Sequence, residues 1–191
     1  MNLLMNRIAQ LHDFTDYELK LIRFYITGLL YDISKMLIIG LFFCYIGKFA
    51  EFLSTLIPLL LLRTKTGGYH LKTYWTCLLA SFLYFILTIL VLPAAVPLRM
   101  TWMQTILLIC MWSIYNIGPI SSNREIHPDK AQLHRIHVAS FQIVFLISVL
   151  LFLFPKIQYL TASFWTVVLH SIQLIITKMK KRGEKDEKVS E

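Results

Sequence analysis

Five residues between positions 63 and 77 could do chemistry together: Arg63, Gly67, Gly68, His70 and Cys77. A cysteine is a competent nucleophile once a base or a cationic setting makes its thiolate. Histidine is the side chain that can accept that proton near neutral pH. Arginine is a fixed donor suited to a carboxylate or a polarised carbonyl. Two adjacent glycines permit positive φ and let backbone N–H groups converge on an anion or a developing oxyanion. Thiol-dependent acyl transfer is the chemistry these types serve.

Spacing tests the pairing. Seven residues along a helix turn through about 700° and rise roughly 10 Å. On one continuous helix His70 and Cys77 would share a face but not touch, because helical side chains lean toward the N-terminus. A contact of about 3 Å requires His70 to lie outside regular helix. The sequence predicts a helix starting near Lys72 or Thr73, with His70 curling over its first turns. Cys77 then sits about one turn inside, where the positive end of the helix dipole favours a thiolate. Taken singly, each residue has a plainer reading: a cysteine in an apolar helix is a small hydrophobe, and Gly-Gly between helices is a turn.

The elements that must position this stretch are membrane helices. The chain has 191 residues, 57% of them apolar, and a mean hydropathy of +0.62. An ordinary soluble domain is about 45–50% apolar. The net charge of +8 does not form a nucleic-acid patch, because the basic residues stand at the ends of apolar runs. The three cysteines, Cys44, Cys77 and Cys110, have neither zinc-site nor disulfide-framework spacing. Residues 1–23 are mixed and charged, unlike a signal peptide.

Six apolar segments follow, at 24–47, 49–62, 74–93, 101–118, 138–154 and 160–177. The bilayer core requires about 20 residues of helix, and lipid leaves helix as the available form for runs this long. The predicted class is an all-α, polytopic membrane bundle. Five segments are of spanning length. The second is short and holds Pro58, which predicts a kinked or re-entrant helix, or one that borrows residues 46–48. Three parts are expected: residues 1–23 as an amphipathic interfacial segment, 24–177 as the helical domain with its cytoplasmic loop at 63–73, and 178–191 as a charged, disordered cytoplasmic tail.

Charge sets the orientation. If all six segments cross, starting inside, the inner regions hold fifteen basic residues, the outer loops hold Lys48, Arg99 and Lys156, and Lys35 lies within the first span. That asymmetry places both termini in the cytoplasm.

In this setting Arg63, Gly68, His70 and Cys77 resemble the accessory gene regulator B family of bacterial membrane cysteine peptidases. The resemblance covers nearly the whole chain. It implies that His70 and Cys77 form the catalytic pair, with Arg63, Gly67 and Gly68 in support. It also implies a bacterial cell-membrane location and a short amphipathic quorum-sensing propeptide as substrate. The enzyme would remove the propeptide's C-terminal tail and pass the acyl group from Cys77 to a side-chain nucleophile, closing a thiolactone or lactone. No cofactor and no metal is implied, and nucleic acid is not a partner. The lipid bilayer is, and short helices with limited self-burial suit a homodimer.

The loop 119–136 departs from the basic, proline-marked stretch usual in the family, leaving Arg124, Lys130 and Arg135 to meet an acidic tail. His127, His134 and His137 lack acidic or cysteine companions at metal-site spacing. Asp32 and His170 lie within apolar runs, where ionisable groups attract notice; Asp32 has Lys35 nearby. Thr73, Ser81 and Asn116 are candidates to orient His70. Zinc-protease and carboxylate-dyad readings fail for want of ligands. A non-enzymatic peptide exporter or transporter subunit is the remaining alternative, though paired, Gly/Pro-broken repeats are not evident. The layout is tested with Arg63→Cys, Arg99→Cys and Arg135→Cys and a membrane-impermeant maleimide. Intact cells are expected to label position 99 and shield 63 and 135; labelling at 63 contradicts the layout.

Overall fold

The computed structural model describes residues 16–67, 73–117, 130–155 and 157–189, and every regular element among them is helical. In chain order these are α1 (Asp16–Tyr45), α2 (Phe49–Thr66), α3 (Tyr74–Ile86), a π-helical turn (Leu87–Val91), α4 (Leu92–Ala95), α5 (Met100–Ile117), α6 (Lys130–Leu153) and α7 (Gln158–Val189). The predicted all-α bundle class is the one adopted. Residues 1–15, where most of the amphipathic segment was placed, and the loop 118–129 lie outside the described residues.

Four stretches are long and apolar enough to cross a membrane: Ile26–Tyr45, Tyr74–Ala95, Lys130–Leu153 and Tyr159–Lys180. They match the first, third, fifth and sixth apolar segments. The other two helices, α2 and α5, have 18 residues each and fall outside this set by composition. Physical reasons are visible in the sequence: Gln104 and Asn116 dilute α5, and Glu51, Arg63 and Lys65 dilute α2.

The chain divides into two compact units, Met1–Phe42 and Phe43–Glu191. In the first, α1 carries the expected ion pair between Asp32 and Lys35, one turn apart. In the second, the end of α1 is closed by paired backbone bonds from Gly47 N to Cys44 O (3.1 Å) and from Lys48 N to Phe43 O (2.8 Å). This six-to-one and five-to-two pattern needs a left-handed residue, and Gly47 supplies it at φ 70°. The resulting turn separates α1 from α2, so the second segment does not borrow residues 46–48. It extends the other way, through Arg63 to Thr66. Pro58 lies inside a continuous helix.

Hydrogen bonds between helices fix their directions. Ser54 Oγ donates to Tyr159 O and Ser163 Oγ to Ser54 O, both at 2.7 Å, while Thr66 meets His170 twelve residues further along α2. Helices α2 and α7 therefore run parallel. Tyr84 OH donates to Thr166 O at 2.9 Å. The rings of Phe52 and Phe85 are 5.0 Å apart and Arg63 shares a cavity with Cys77, which makes α3 antiparallel to α2 and so to α7. Gln104 and Ser148 bond to each other, and Tyr115 packs on His137 with ring centroids 5.0 Å apart, so α5 and α6 are antiparallel. The direction alternates from α2 to α3, and from α5 through α6 to α7.

Where α5, α6 and α7 meet, Leu107, Cys110 and Ile114 interdigitate with Val144, Ile147 and Leu151 and with Phe164 and Val167. These recur at three- and four-residue spacing, the stripe of one helix face. Within lipid such contacts act through packing rather than water exclusion. Helix α7 continues to Val189, through residues whose composition predicts disorder. Lys, Arg and Glu are good helix formers, and a helix already begun extends through them without a new nucleus.

A β-carbon at Gly47 would meet nothing within 4 Å, so its cost is purely that of the backbone. Gly47→Ala is expected to destabilise the detergent-solubilised protein by about 1–2 kcal/mol in denaturant unfolding, with Gly47→Asn milder. An unchanged midpoint for the alanine variant would contradict the helix end described.

Candidate active site

Cys77 stands in the first turn of α3. Its N–H donates to Thr73 O at 3.1 Å, and Thr73 is the extended residue preceding the helix. The helix therefore begins within a residue or two of where the sequence places it, and Cys77 lies one turn inside. The residue is buried, 8% exposed.

Arg63 reaches the same place from the last turn of α2. Its carbonyl accepts from Gly67 N at 3.0 Å, and Gly67 takes φ 78°, ψ −171°. That region is essentially glycine's alone, so the chain leaves α2 through a corner that a β-carbon would strain. Gly68 and His70, the other loop residues singled out, lie outside the described residues, as does Lys72.

Arg63 and Cys77 line one small cavity of about 140 Å³, together with Leu59, Ala80, Ser81, Tyr84, Phe85 and Gln173. Three helices build it. From α2, Leu59 and Arg63 sit one turn apart. From α3, Cys77, Ala80, Ser81 and Tyr84 recur at helical spacing on one face. From α7 comes Gln173. Phe85 closes the far side and belongs to an aromatic cluster, with ring centroids 5.0 Å from Phe52 and 6.3 Å from Phe43. The wall is thus mostly apolar, with a thiol, a guanidinium, a hydroxyl and an amide directed to one volume. Such a place can hold a peptide carbonyl away from water while offering it donors.

Of the three residues proposed to orient a histidine, Ser81 lines the cavity. The Thr73 hydroxyl instead pairs with that of Thr76 at 2.8 Å, and the Asn116 amide donates to Trp112 O at 2.7 Å on its own helix. Gln173 and Tyr84 escaped the sequence reading. Tyr84 lies seven residues from Cys77, two turns along the same face, and that periodicity could have flagged it. Gln173 sits 96 positions from Cys77, and no local pattern announces it.

The α3 helix widens into its π-helical turn at Leu87–Val91, just before Pro93, which stands at the start of α4. Proline lacks an N–H and removes a helical bond, and the wider turn re-registers the ladder. Thr88 Oγ1 lies 3.0 Å from Tyr84 O and 3.2 Å from Phe85 O, reinforcing the turn that carries the cavity wall.

Comparison with known proteins agrees with the sequence resemblance. The profile of the family described as Accessory gene regulator B matches residues 1–174. An AgrB-like protein of Clostridium beijerinckii is 28% identical over 159 residues, covering 83% of this chain and 78% of the relative. No solved structure matches. The match over nearly the whole chain, together with helices of membrane-crossing length, makes this a membrane protein of the accessory gene regulator B family, engaged in the processing of quorum-sensing peptides.

Proposed function

We propose that the chain is a cysteine endopeptidase of the cell membrane. It removes the C-terminal tail of a short propeptide and passes the remaining acyl group to a side chain of that peptide, closing a thiolactone or lactone ring. The observation that carries this reading is that Cys77 and Arg63, fourteen positions apart on either side of a loop, line one cavity. A lone cysteine buried in a bundle is inert; one that shares a cavity with a guanidinium and two further polar groups supports acyl chemistry.

The steps balance as follows. His70 takes the Cys77 proton, and the thiolate attacks the carbonyl carbon of the scissile peptide bond. Arg63 faces the charge that develops on its oxygen. The C–N bond breaks, and the tail leaves as an amine carrying the proton that His70 returns. The peptide is now a thioester on Cys77. A thiol or hydroxyl of the same peptide gives its proton to His70 and attacks that thioester, and Cys77 leaves as a thiol.

Transfer to another thiol is nearly isoenergetic, whereas water would end the reaction irreversibly. Cyclisation therefore needs the second nucleophile held close and a dry site. A small cavity walled by Leu59, Ala80, Tyr84 and Phe85 suits both needs. The orientation that suits the substrate puts both termini and the loop at 63–73 in the cytoplasm, as the basic-residue asymmetry favours.

The test is co-expression with the propeptide encoded beside the gene, followed by mass spectrometry of the cleaved products. Cys77→Ala, Cys77→Ser and His70→Ala are each expected to abolish tail removal without loss of membrane-inserted protein. Unimpaired cleavage by Cys77→Ala ends the mechanism. Arg63→Lys keeps the charge but not the planar fork and is expected to slow cleavage by at least about tenfold, consistent with the loss of a charge-assisted bond.

A further inference from the structure

His170 is a buried polar side chain that these steps leave unused. It lies midway along α7, 1% exposed, inside a stretch apolar enough to cross the bilayer. An ionisable group there is costly and requires a partner. The partner is Thr66, the last residue of α2: Nε2 and Oγ1 are 2.8 Å apart across 104 residues of sequence. Thr66 is also 1% exposed, and its Oγ1 lies 2.8 Å from Leu62 O.

Proton accounting assigns the roles. A hydroxyl has one proton to give. If Thr66 gives it to Leu62 O, Nε2–H donates to Oγ1 and Nδ1 is a bare lone pair. If Thr66 gives it to Nε2, the ring proton must sit on Nδ1, which has no partner among the described residues. A buried N–H without an acceptor is the costlier arrangement. His170 is therefore the donor and Thr66 the acceptor.

We propose that His170 is the positioning residue of the site. It holds the last turn of α2 in one rotational setting, and thereby sets Arg63 and the point from which the chain departs toward His70. Arg63 and Thr66 are three residues apart, about 60° around the helix, and so are His170 and Gln173. The Thr66–His170 bond thus lies one turn from Arg63 and Gln173 on the two helices that carry them to the Cys77 cavity. Left untied, a helix terminus frays, and the next residue here is Gly67 in its left-handed setting at φ 78°. The tie between α2 and α7 at Ser54 lies twelve residues back and cannot hold this end. The inference rests on Cys77 being the nucleophile.

Thr66→Val, which removes the acceptor and keeps the shape, is compared with His170→Leu, the double variant, and His170→Gln, which keeps an N–H near Nε2. Two readouts are taken per mole of folded, membrane-inserted protein. One is the kcat and KM of propeptide tail removal. The other is the alkylation rate of Cys77 by iodoacetamide without substrate, resolved from Cys44 by peptide mass spectrometry. Both single variants are expected to lower kcat roughly tenfold, the scale of one lost hydrogen bond with its partner left buried, with KM little changed. Cys77 alkylation should slow while that of Cys44 does not. The double variant should be no worse than the single ones, and His170→Gln should stay within about twofold of wild type. Wild-type kcat and Cys77 alkylation in Thr66→Val overturn the proposal, as does a double variant whose losses multiply. Should His170→Leu fail to insert, Thr66→Val decides alone. Cleavage surviving in Cys77→Ala would instead defeat the peptidase reading, a separate outcome.

Discussion

A hydroxyl among apolar helices is stabilised by a carbonyl or another acceptor, and bonds of this kind tie together the helices of the second unit of this protein. Ser54, Ser163 and Tyr84 form them between helices, on the backbone of Tyr159, Ser54 and Thr166, while Thr66 donates to Leu62 O on its own helix and accepts from the ring of His170. Each such bond in a membrane interior is worth about 0.6 kcal/mol on average and up to ~1.7. Their energy is modest; their directionality matters more. Packing of Leu and Ile tolerates rotation of one helix against another, whereas a hydrogen bond to a particular carbonyl does not. The rotation of α2 and α3 is thus referred to α7, and the cavity containing Arg63, Cys77 and Gln173 exists because all three helices share that reference.

This explains why α2, a short helix with charged residues in its 18 positions, can hold its place. Its 18 residues span roughly 27 Å, close to the hydrocarbon core, yet it carries Glu51, Arg63 and Lys65. Glu51 pairs with Lys48 at 2.7 Å near its start, and Arg63 lines the cavity near its end. The charges fall at the two ends, and one face of the middle, with Phe52, Thr55, Leu59 and Leu62, packs inward. Proximity of Arg63 to Cys77 therefore follows from where α2 ends, which is set by Gly67 after it and Gly47 before it.

Much of this was legible in the sequence. Hydropathy located the helices, and the step from Gly67-Gly68 to an apolar run predicted the start of α3 and the position of Cys77 in its first turn. Three things were not legible, for different reasons. The extent of α2 was misjudged because Arg63–Thr66 reads as loop by hydropathy, although a helix can carry basic residues in its last turn. Gln173 and His170 belong to the site through contacts across about a hundred residues, and one sequence contains no local periodicity that could signal such a pairing. The helical continuation of α7 to Val189 failed composition-based reading for a third reason: charge density argues for disorder only where no preceding helix supplies a nucleus.

The central claim is that the peptide is carried, for part of the reaction, as a thioester on Cys77. The most direct measurement is intact-protein and peptide mass spectrometry of the enzyme quenched in acid during turnover with its propeptide. The account predicts an adduct on Cys77 with the mass of the propeptide lacking its tail, less one water, released by hydroxylamine. Tail removal proceeding with Cys77 unmodified, or with the adduct on another residue, would contradict it.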